Sequence, residues 1–148
     1  MAILSYEHTF RVAYKDTDQM GVMHHSNYVV LYEKARTEWL RHMGITYAEI
    51  EQRGIMSPIL EVHSKYIYPA FYDELLTVRV LLEEMPSARF TIHTEVYNPA
   101  GKLINKGYVV LGFINKESRR PCRIPSWFQE ALDKYIAENN LVEENDKE

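Results

Sequence analysis

Residues 14–28 read YKDTDQMGVMHHSNY and connect two segments with different periodicities. The preceding segment, residues 7–15, alternates polar and apolar side chains and therefore predicts a β-strand. The following segment places apolar residues three and four positions apart, which predicts a helix over about residues 26–43. Two acidic residues, Asp16 and Asp18, consequently lie on a strand-to-helix connection.

A carboxylate on such a connection lies close to the free N–H groups that begin the helix. Those N–H groups carry partial positive charge and suit a developing oxyanion. A base or nucleophile beside an oxyanion donor is a minimal acyl-transfer site. Spacing alone nevertheless favours a simple turn before Gly21, because Asp side chains hydrogen-bond nearby backbone. A calcium-binding loop is disfavoured, because Met20 fills a ligand position and Asn27 replaces the required glutamate.

The rest of the chain predicts a run of antiparallel strands after the long helix. Ser26 or Asn27 is expected to cap the start of that helix, and Gly44 to end it. The further elements predicted are a short helix over 46–53, strands over 56–68, 74–84, 89–97 and 103–115, and a terminal helix of about ten residues from Pro125. One helix against a curved antiparallel sheet is an α+β layer arrangement.

The length and composition predict one globular domain over residues 1–148, with a core over about residues 6–137 and a polar tail over residues 138–148. A formal net charge of −4 predicts no general affinity for nucleic acid. No apolar run is long enough to span a bilayer, and the N-terminus lacks the features of a signal peptide. Because Cys122 is the single cysteine, we expect no internal disulfide and favour a cytoplasmic location without a membrane partner.

Patterns for metal binding or for other nucleophiles are poorly represented. The adjacent His24 and His25 would point about 100° apart on a helix, which suits metal coordination poorly. The chain contains no His-x-x-x-His or cysteine-rich cluster and no Gly-x-Ser-x-Gly elbow. We therefore expect neither a metal nor a cofactor.

In order along the chain, the motifs resemble the signature of an enzyme family. The matching pieces are Asp16-Thr17-Asp18, Gly21-Val22-Met23, His24-His25, Asn27-Tyr28, Tyr32–Arg36, Pro58-Ile59 and Tyr68–Leu75. Over roughly residues 6–128 the chain resembles hotdog-fold acyl-CoA thioesterases of the 4-hydroxybenzoyl-CoA thioesterase family. The resemblance implies a hotdog fold, in which a curved antiparallel sheet wraps a long central helix. It also implies a homodimer or homotetramer with active sites between subunits.

The resemblance further implies roles for individual residues. Asp18 falls on the family's catalytic acid, which would attack the thioester carbonyl or activate a water. His25 falls where the family presents a backbone N–H to the oxyanion, and Asp16 is expected to shape the loop. The other residues expected near the substrate are Tyr14, Gly21, Asn27 and Tyr28, together with Glu61 and His63, whose strand runs near the partner subunit's site in the family. The candidates for binding the coenzyme A phosphates are Lys65, Arg89, Arg119 and Arg120.

The predicted activity is hydrolysis of an acyl-CoA thioester to the free carboxylic acid and coenzyme A, with the thioester as substrate and no cofactor. The alternative is a non-catalytic hotdog module that binds acyl-CoA or acyl carrier protein. Asp18 together with Gly21, Asn27 and Tyr28 favours the enzyme, and acyl carrier protein is an alternative acyl donor. For the other candidate residues, a purely structural role remains the alternative to a functional one. For Tyr28, a position in the core is favoured. The predicted strand over residues 103–113 is expected to need a partner along its edge.

Overall fold

Seven strands and three helices make up the computed structural model, which describes the backbone of residues 2–146 and the side chains of residues 2–139. The elements are β1 (Leu4–Arg11), α1 (Ser26–His42), α2 (Tyr47–Gln52), β2 (Ile55–Met56), β3 (Ile59–Tyr66), β4 (Leu75–Leu82), β5 (Arg89–Tyr97), β6 (Leu103–Gly112), β7 (Ile114–Asn115) and α3 (Ser126–Asp146). The main sheet is antiparallel with the order β1-β4-β5-β6-β3, and β2 pairs with β7.

The core forms between one face of α1 and the inner face of the main sheet. The α1 residues that the helical spacing placed on one face are at most 3% exposed, namely Tyr28, Leu31, Tyr32, Ala35 and Trp39. Along β4 and β5, every second residue is buried, because successive side chains of a strand point to opposite faces. The α+β architecture expected from the sequence is confirmed.

A buried polar network joins the middle of α1 to β3 and β6. The hydroxyl of Tyr32 lies 2.9 Å from Ser64 Oγ and donates to Asn105 Oδ1, while Asn105 Nδ2 donates to Ser64 Oγ at 3.0 Å. Burial raises the pKa of Tyr32 to about 12. Gly107 makes room for this network, because a Cβ there would overlap the Tyr32 hydroxyl and the carbonyl of His63.

The free edge of the sheet lies on a different strand from the one expected. The predicted strand over residues 103–113 corresponds to β6, which is paired on both sides, with β5 and with β3. The free edge near β6 therefore belongs to β3, and seven of the eight β3 residues are exposed. The expectation was wrong about the strand because the length and apolar content of a strand do not reveal its neighbours in the sheet.

Several element boundaries also differ from those predicted. The first strand ends at Arg11, and a 3₁₀ turn over Tyr14–Asp16 replaces its predicted last residues. The N-cap residue of α1 is His25, and not Ser26 or Asn27 as predicted. Gly44 follows the end of this helix with φ +86°, as expected.

The terminal helix is longer than predicted. The helix α3 extends over 21 residues, so residues 138–146 of the expected polar tail are helical, and residues 147 and 148 lie outside the described range. In this described part of the chain, no helix is long and apolar enough to cross a membrane. The single-domain assignment over residues 1–148 stays a prediction.

Candidate active site

Asp16 organises the loop that leads into α1. The residue is 7% exposed, and its Oδ2 accepts a hydrogen bond from the Ala13 N–H at 2.8 Å. Its backbone carbonyl accepts two more, from the His24 N–H and from Asn27 Nδ2, each at 2.8 Å. The Asp16 carbonyl and the Asn27 side chain thus tie the two ends of the loop together, while the Asp16 carboxylate holds the local turn at Ala13.

Asp18 lies in a tight turn of the same loop and is half-buried. Its Oδ1 accepts from the Met20 N–H at 2.8 Å, and its carbonyl accepts from the Gly21 N–H at 3.0 Å. Gly21 adopts φ +78°, a conformation that L side chains rarely take, so a glycine suits this corner. Among the described residues, Asp18 Oδ2 accepts no hydrogen bond. The carboxylates of Asp16 and Asp18 each accept one hydrogen bond, but the Asp18 side chain is less buried than that of Asp16.

The start of α1 offers a free backbone donor. His25 has helical backbone angles and its side chain caps no N–H of α1, while the Ser26 N–H donates to His24 Nδ1 at 3.3 Å. Within residues 2–139, the His25 N–H donates to no protein group, whereas its carbonyl accepts from the Tyr66 hydroxyl at 2.9 Å. The His25 imidazole is exposed and lies 4.2 Å from the His24 ring, centroid to centroid. A free N–H at a helix start suits a negatively charged oxygen.

Asp18 and His25 border the same cleft, which has a volume of about 320 Å³. The other lining residues are mostly apolar or aromatic, namely Met20, Val22, Met23, Tyr28, Tyr66, Ile67, Tyr68 and Pro69. A carboxylate and an amide donor at the mouth of an apolar cleft can hydrolyse an ester-like bond whose apolar acyl group fills the cleft.

The remaining loop residues are divided between this cleft and the surrounding structure. Tyr28 is 3% exposed and contributes both to the core and to the cleft wall, and burial raises the pKa of its hydroxyl. Tyr14 is 80% exposed and packs edge-to-face on Tyr72, with ring centroids 6.0 Å apart. Tyr14 does not line the cleft of this protomer.

The predicted substrate residues on β3 lie on the opposite face of the sheet. Glu61 accepts a hydrogen bond from the Tyr108 hydroxyl at 2.9 Å, and His63 stacks on the Tyr108 ring at 5.2 Å. This hydrogen bond to a carboxylate raises the pKa of Tyr108. Because strand side chains alternate, Lys65 shares this outer face, while Ser64 points inward to α1. Within one protomer, the structure does not bring Glu61, His63 or Lys65 to the cleft.

Three of the candidate cations lie at the far end of the sheet. Arg89 begins β5, whereas the cleft lies beside the other end of this strand, and nine residues span about 26 Å. Arg119 and Arg120 lie in the turn after β7, where the Arg119 N–H donates to the Asn115 carbonyl at 2.9 Å. A single protomer therefore places no predicted arginine at the cleft.

Tyr66 and Tyr68 are cleft residues that the sequence reasoning missed. Tyr66 is the last residue of β3, and its ring contacts the Tyr28 ring edge-to-face, with centroids 5.2 Å apart. The signal for Tyr66 was present in the alternation of β3, whereas Tyr68 lies beyond the end of that strand. If Glu61, His63 and Lys65 share one face, then Tyr66 must share the other with Ser64. The sequence reasoning considered only the polar face of this strand, which it expected near the partner subunit's site, and left the opposite face out.

Comparison with known proteins places this geometry in a family. Residues 12–132 match the family described as the thioesterase-like superfamily. The chain is 32% identical to a putative acyl-CoA thioesterase, YneP, of Bacillus subtilis (strain 168) over 120 residues, which cover 78% of this chain and 87% of the relative. It is 28% identical to the acyl-CoA thioester hydrolase YbgC of Escherichia coli O157:H7 over 115 residues, covering 78% and 86%.

One solved structure is similar to this chain in both fold and sequence. The DHNA-CoA thioesterase of Staphylococcus aureus superposes with a TM-score of 0.81 and 31% sequence identity, covering 93% of this chain and 95% of that protein. These matches confirm the resemblance seen in the loop and helix motifs. The chain therefore belongs to the thioesterase-like superfamily of hotdog-fold proteins.

Proposed function

We propose that the protein is an acyl-CoA thioesterase in which Asp18 drives hydrolysis and the His25 N–H binds the oxyanion. The observation that carries this proposal is that Asp18 and His25, at the start of α1, border one apolar cleft. The names of the relatives support the substrate class, since they read putative acyl-CoA thioesterase, acyl-CoA thioester hydrolase and DHNA-CoA thioesterase. Water and the thioester yield a carboxylic acid and the coenzyme A thiol.

The proposed roles follow from the surroundings of each group. As the thioester carbonyl becomes tetrahedral, its oxygen gains negative charge, and a preorganised N–H there lowers the barrier by roughly 3 kcal/mol. Asp18 either attacks that carbonyl and expels the coenzyme A thiolate, giving a mixed anhydride that water hydrolyses, or removes a proton from the attacking water, which then displaces the thiolate. Both routes require an ionised carboxylate at the cleft, and Asp18 is better suited than Asp16 because it lines the cleft and is less buried.

We also propose that two copies pair through β3. Large apolar side chains are exposed on and after this edge strand, namely Ile59, Leu60, Val62, Tyr66, Ile67 and Tyr68. A long apolar edge with unpaired backbone groups is normally covered, and a two-fold partner supplies an identical strand. The homotetramer, the acyl carrier protein as alternative donor, the cytoplasmic location and the absence of a cofactor or nucleic-acid partner stay predictions.

Thiol release from a panel of aliphatic and aromatic acyl-CoAs tests the activity, and Asp18→Asn tests the assignment. The amide is nearly isosteric but a poor base and nucleophile, so we expect kcat to fall by about 10²–10⁴-fold. Asp16→Asn serves as the matched control, because its amide oxygen can still accept from the Ala13 N–H. Wild-type turnover by Asp18→Asn on a good substrate would refute the assignment. Binding of the panel without thiol release would favour the non-catalytic module instead.

A further inference from the structure

We propose that Tyr66 is a positioning residue for the oxyanion-binding turn. Its hydroxyl holds the His25 carbonyl and thereby fixes the first turn of α1 against the edge strand β3. The inference rests on the proposed function and extends it, because it assigns the orientation of the oxyanion donor to a side chain outside the loop and outside the helix.

The Tyr66 side chain is held on two sides. Its hydroxyl donates to the His25 carbonyl at 2.9 Å, and its ring packs edge-to-face on Tyr28, with centroids 5.2 Å apart. Tyr28 is itself buried in the core, so it provides a rigid support for the ring. The His25 ring also meets the Tyr66 ring edge-to-face, with centroids 6.4 Å apart. Tyr66 is 49% exposed, and these ring contacts orient its exposed side chain so that its hydroxyl meets a defined backbone atom.

Hydrogen bonds from outside the helix help to hold the start of α1. The N-cap residue His25 supplies no side-chain cap, and the Ser26 N–H donates to His24 Nδ1 at 3.3 Å, near the upper limit for a hydrogen bond. Among the described residues, the carbonyl of His25 accepts one backbone hydrogen bond, from the Tyr28 N–H at 3.3 Å. Two tertiary side-chain hydrogen bonds add to these local ones, one from Asn27 to the Asp16 carbonyl and one from Tyr66 to the His25 carbonyl.

The two tertiary bonds act on different parts of the turn. The Asn27 bond joins the helix to the catalytic loop, whereas the Tyr66 bond joins the carbonyl side of His25 to the sheet. The N–H and the carbonyl of His25 flank the same α-carbon. Releasing the carbonyl lets the residue rotate, and the N–H then points away from the oxyanion. This affects the transition state more than the bound substrate, because the charge develops only during the reaction.

The test compares Tyr66→Phe with Tyr97→Phe in the full-length protein. Both variants keep the ring and lose one hydroxyl, and Tyr97 bonds Glu95 on the outer face of the sheet, away from the cleft. We expect Tyr66→Phe to lower kcat about tenfold with KM within about twofold, because loosening an oriented donor costs less than removing it. Tyr97→Phe should match the wild type in both constants. Wild-type kcat for Tyr66→Phe, or a raised KM with unchanged kcat, would overturn the inference.

Amide hydrogen exchange provides a readout that does not depend on turnover. Tyr66→Phe should speed exchange in a peptide covering residues 24–28, and Tyr97→Phe should not. Unchanged exchange in Tyr66→Phe would overturn the positioning role even if activity fell. The proposed function fails by a different result, namely no thiol release by the wild type from any acyl-CoA in the panel. If the wild type is inactive and Tyr66→Phe still speeds exchange, the Tyr66 hydrogen bond holds the turn but its proposed role in hydrolysis is refuted.

Discussion

Asp16 and Asp18 are separated by one residue, yet their carboxylates have different surroundings. Asp16 is buried and accepts the backbone N–H of Ala13, whereas Asp18 is half-buried and lines the cleft. The family motif names both residues, and their burial and position relative to the cleft separate a structural acid from a proposed catalytic one. Substitution of Asp16 should therefore reduce mainly the stability, whereas substitution of Asp18 should reduce mainly the turnover.

Replacing Asp16 should reduce stability more than replacing Asp18. Asp16→Ala leaves the Ala13 N–H without its acceptor in a partly buried site, which costs about 1–3 kcal/mol of unfolding free energy. Asp18→Ala removes a bond in an exposed turn and should change stability by less than about 0.5 kcal/mol. Urea denaturation of both variants measures the difference. Equal stabilities would show that the Asp16 carboxylate does not hold the loop.

At the level of elements, the network of Tyr32, Ser64 and Asn105 fixes α1 against β3 and β6. All three polar groups satisfy one another, and Asn105 is 0% exposed. Such a network can be satisfied in only one alignment of helix and strand. It therefore sets how far α1 lies along β3, and with it the distance between the start of α1 and Tyr66.

Tyr32→Phe should destabilise the protein and change its response to high pH. Asn105 and Ser64 lose a partner, at a cost of about 1–3 kcal/mol. The pKa of Tyr32 rises from 10.0 to about 12, so its contribution is complete below pH 10 and is lost as the pH rises towards 12. The wild-type unfolding free energy should fall more steeply than that of the variant over this range. The other tyrosines are common to both proteins and affect both equally. If urea unfolding shows that the wild type and the variant lose the same unfolding free energy between pH 8 and pH 10.5, the assignment is contradicted.

At the level of the whole molecule, the exposed strand β3 predicts a dimer. Val62→Glu places a carboxylate near the middle of this strand, where two-fold pairing brings it close to its own copy. We expect light scattering to detect an oligomer for the wild type and a 17.5 kDa monomer for the variant at micromolar concentration. Ser5→Glu on β1, the other edge strand, is the matched control and should stay oligomeric. A monomeric wild type would refute the pairing.

Antiparallel pairing of β3 would also relocate the distant arginines. The start of β3 in one protomer would lie beside the end of β3 in its partner, so the far end of one sheet would approach the partner's cleft. Arg119→Ala and Arg120→Ala should then raise KM for acyl-CoA with little change in kcat, because a phosphate contact is equally strong in ground and transition states. Added salt should mimic the substitutions.

Two controls separate a nucleotide contact from a general loss of charge. A pantetheine thioester lacks the nucleotide, so its KM should not respond to either arginine substitution. Lys134→Ala on α3 removes an exposed cation that pairs only loosely with Glu138, at 4.0 Å, and should leave both substrates unaffected. Equal losses on acyl-CoA and pantetheine thioester would show that these arginines do not bind the nucleotide.

Short-range sequence patterns were sufficient to predict much of this structure. The spacing of apolar residues identified α1 and its buried face, alternation identified the strands, and glycine identified the end of the helix. The loop motif also predicted that Asp18 would lie beside the helix start, because the two are only seven residues apart along the chain. Each of these features depends on neighbours within a few residues, which is the range that a sequence pattern reports.

Features that join distant segments required the folded chain. The order of the strands placed β6 inside the sheet and β3 at its edge, and it turned Glu61, His63 and Lys65 away from the cleft. The same pairing brought Tyr66 to the His25 carbonyl, across 41 residues of sequence. Strand pairing and helix docking are selected by the burial and hydrogen bonding of the whole core, and local periodicity is the same for a strand in either position.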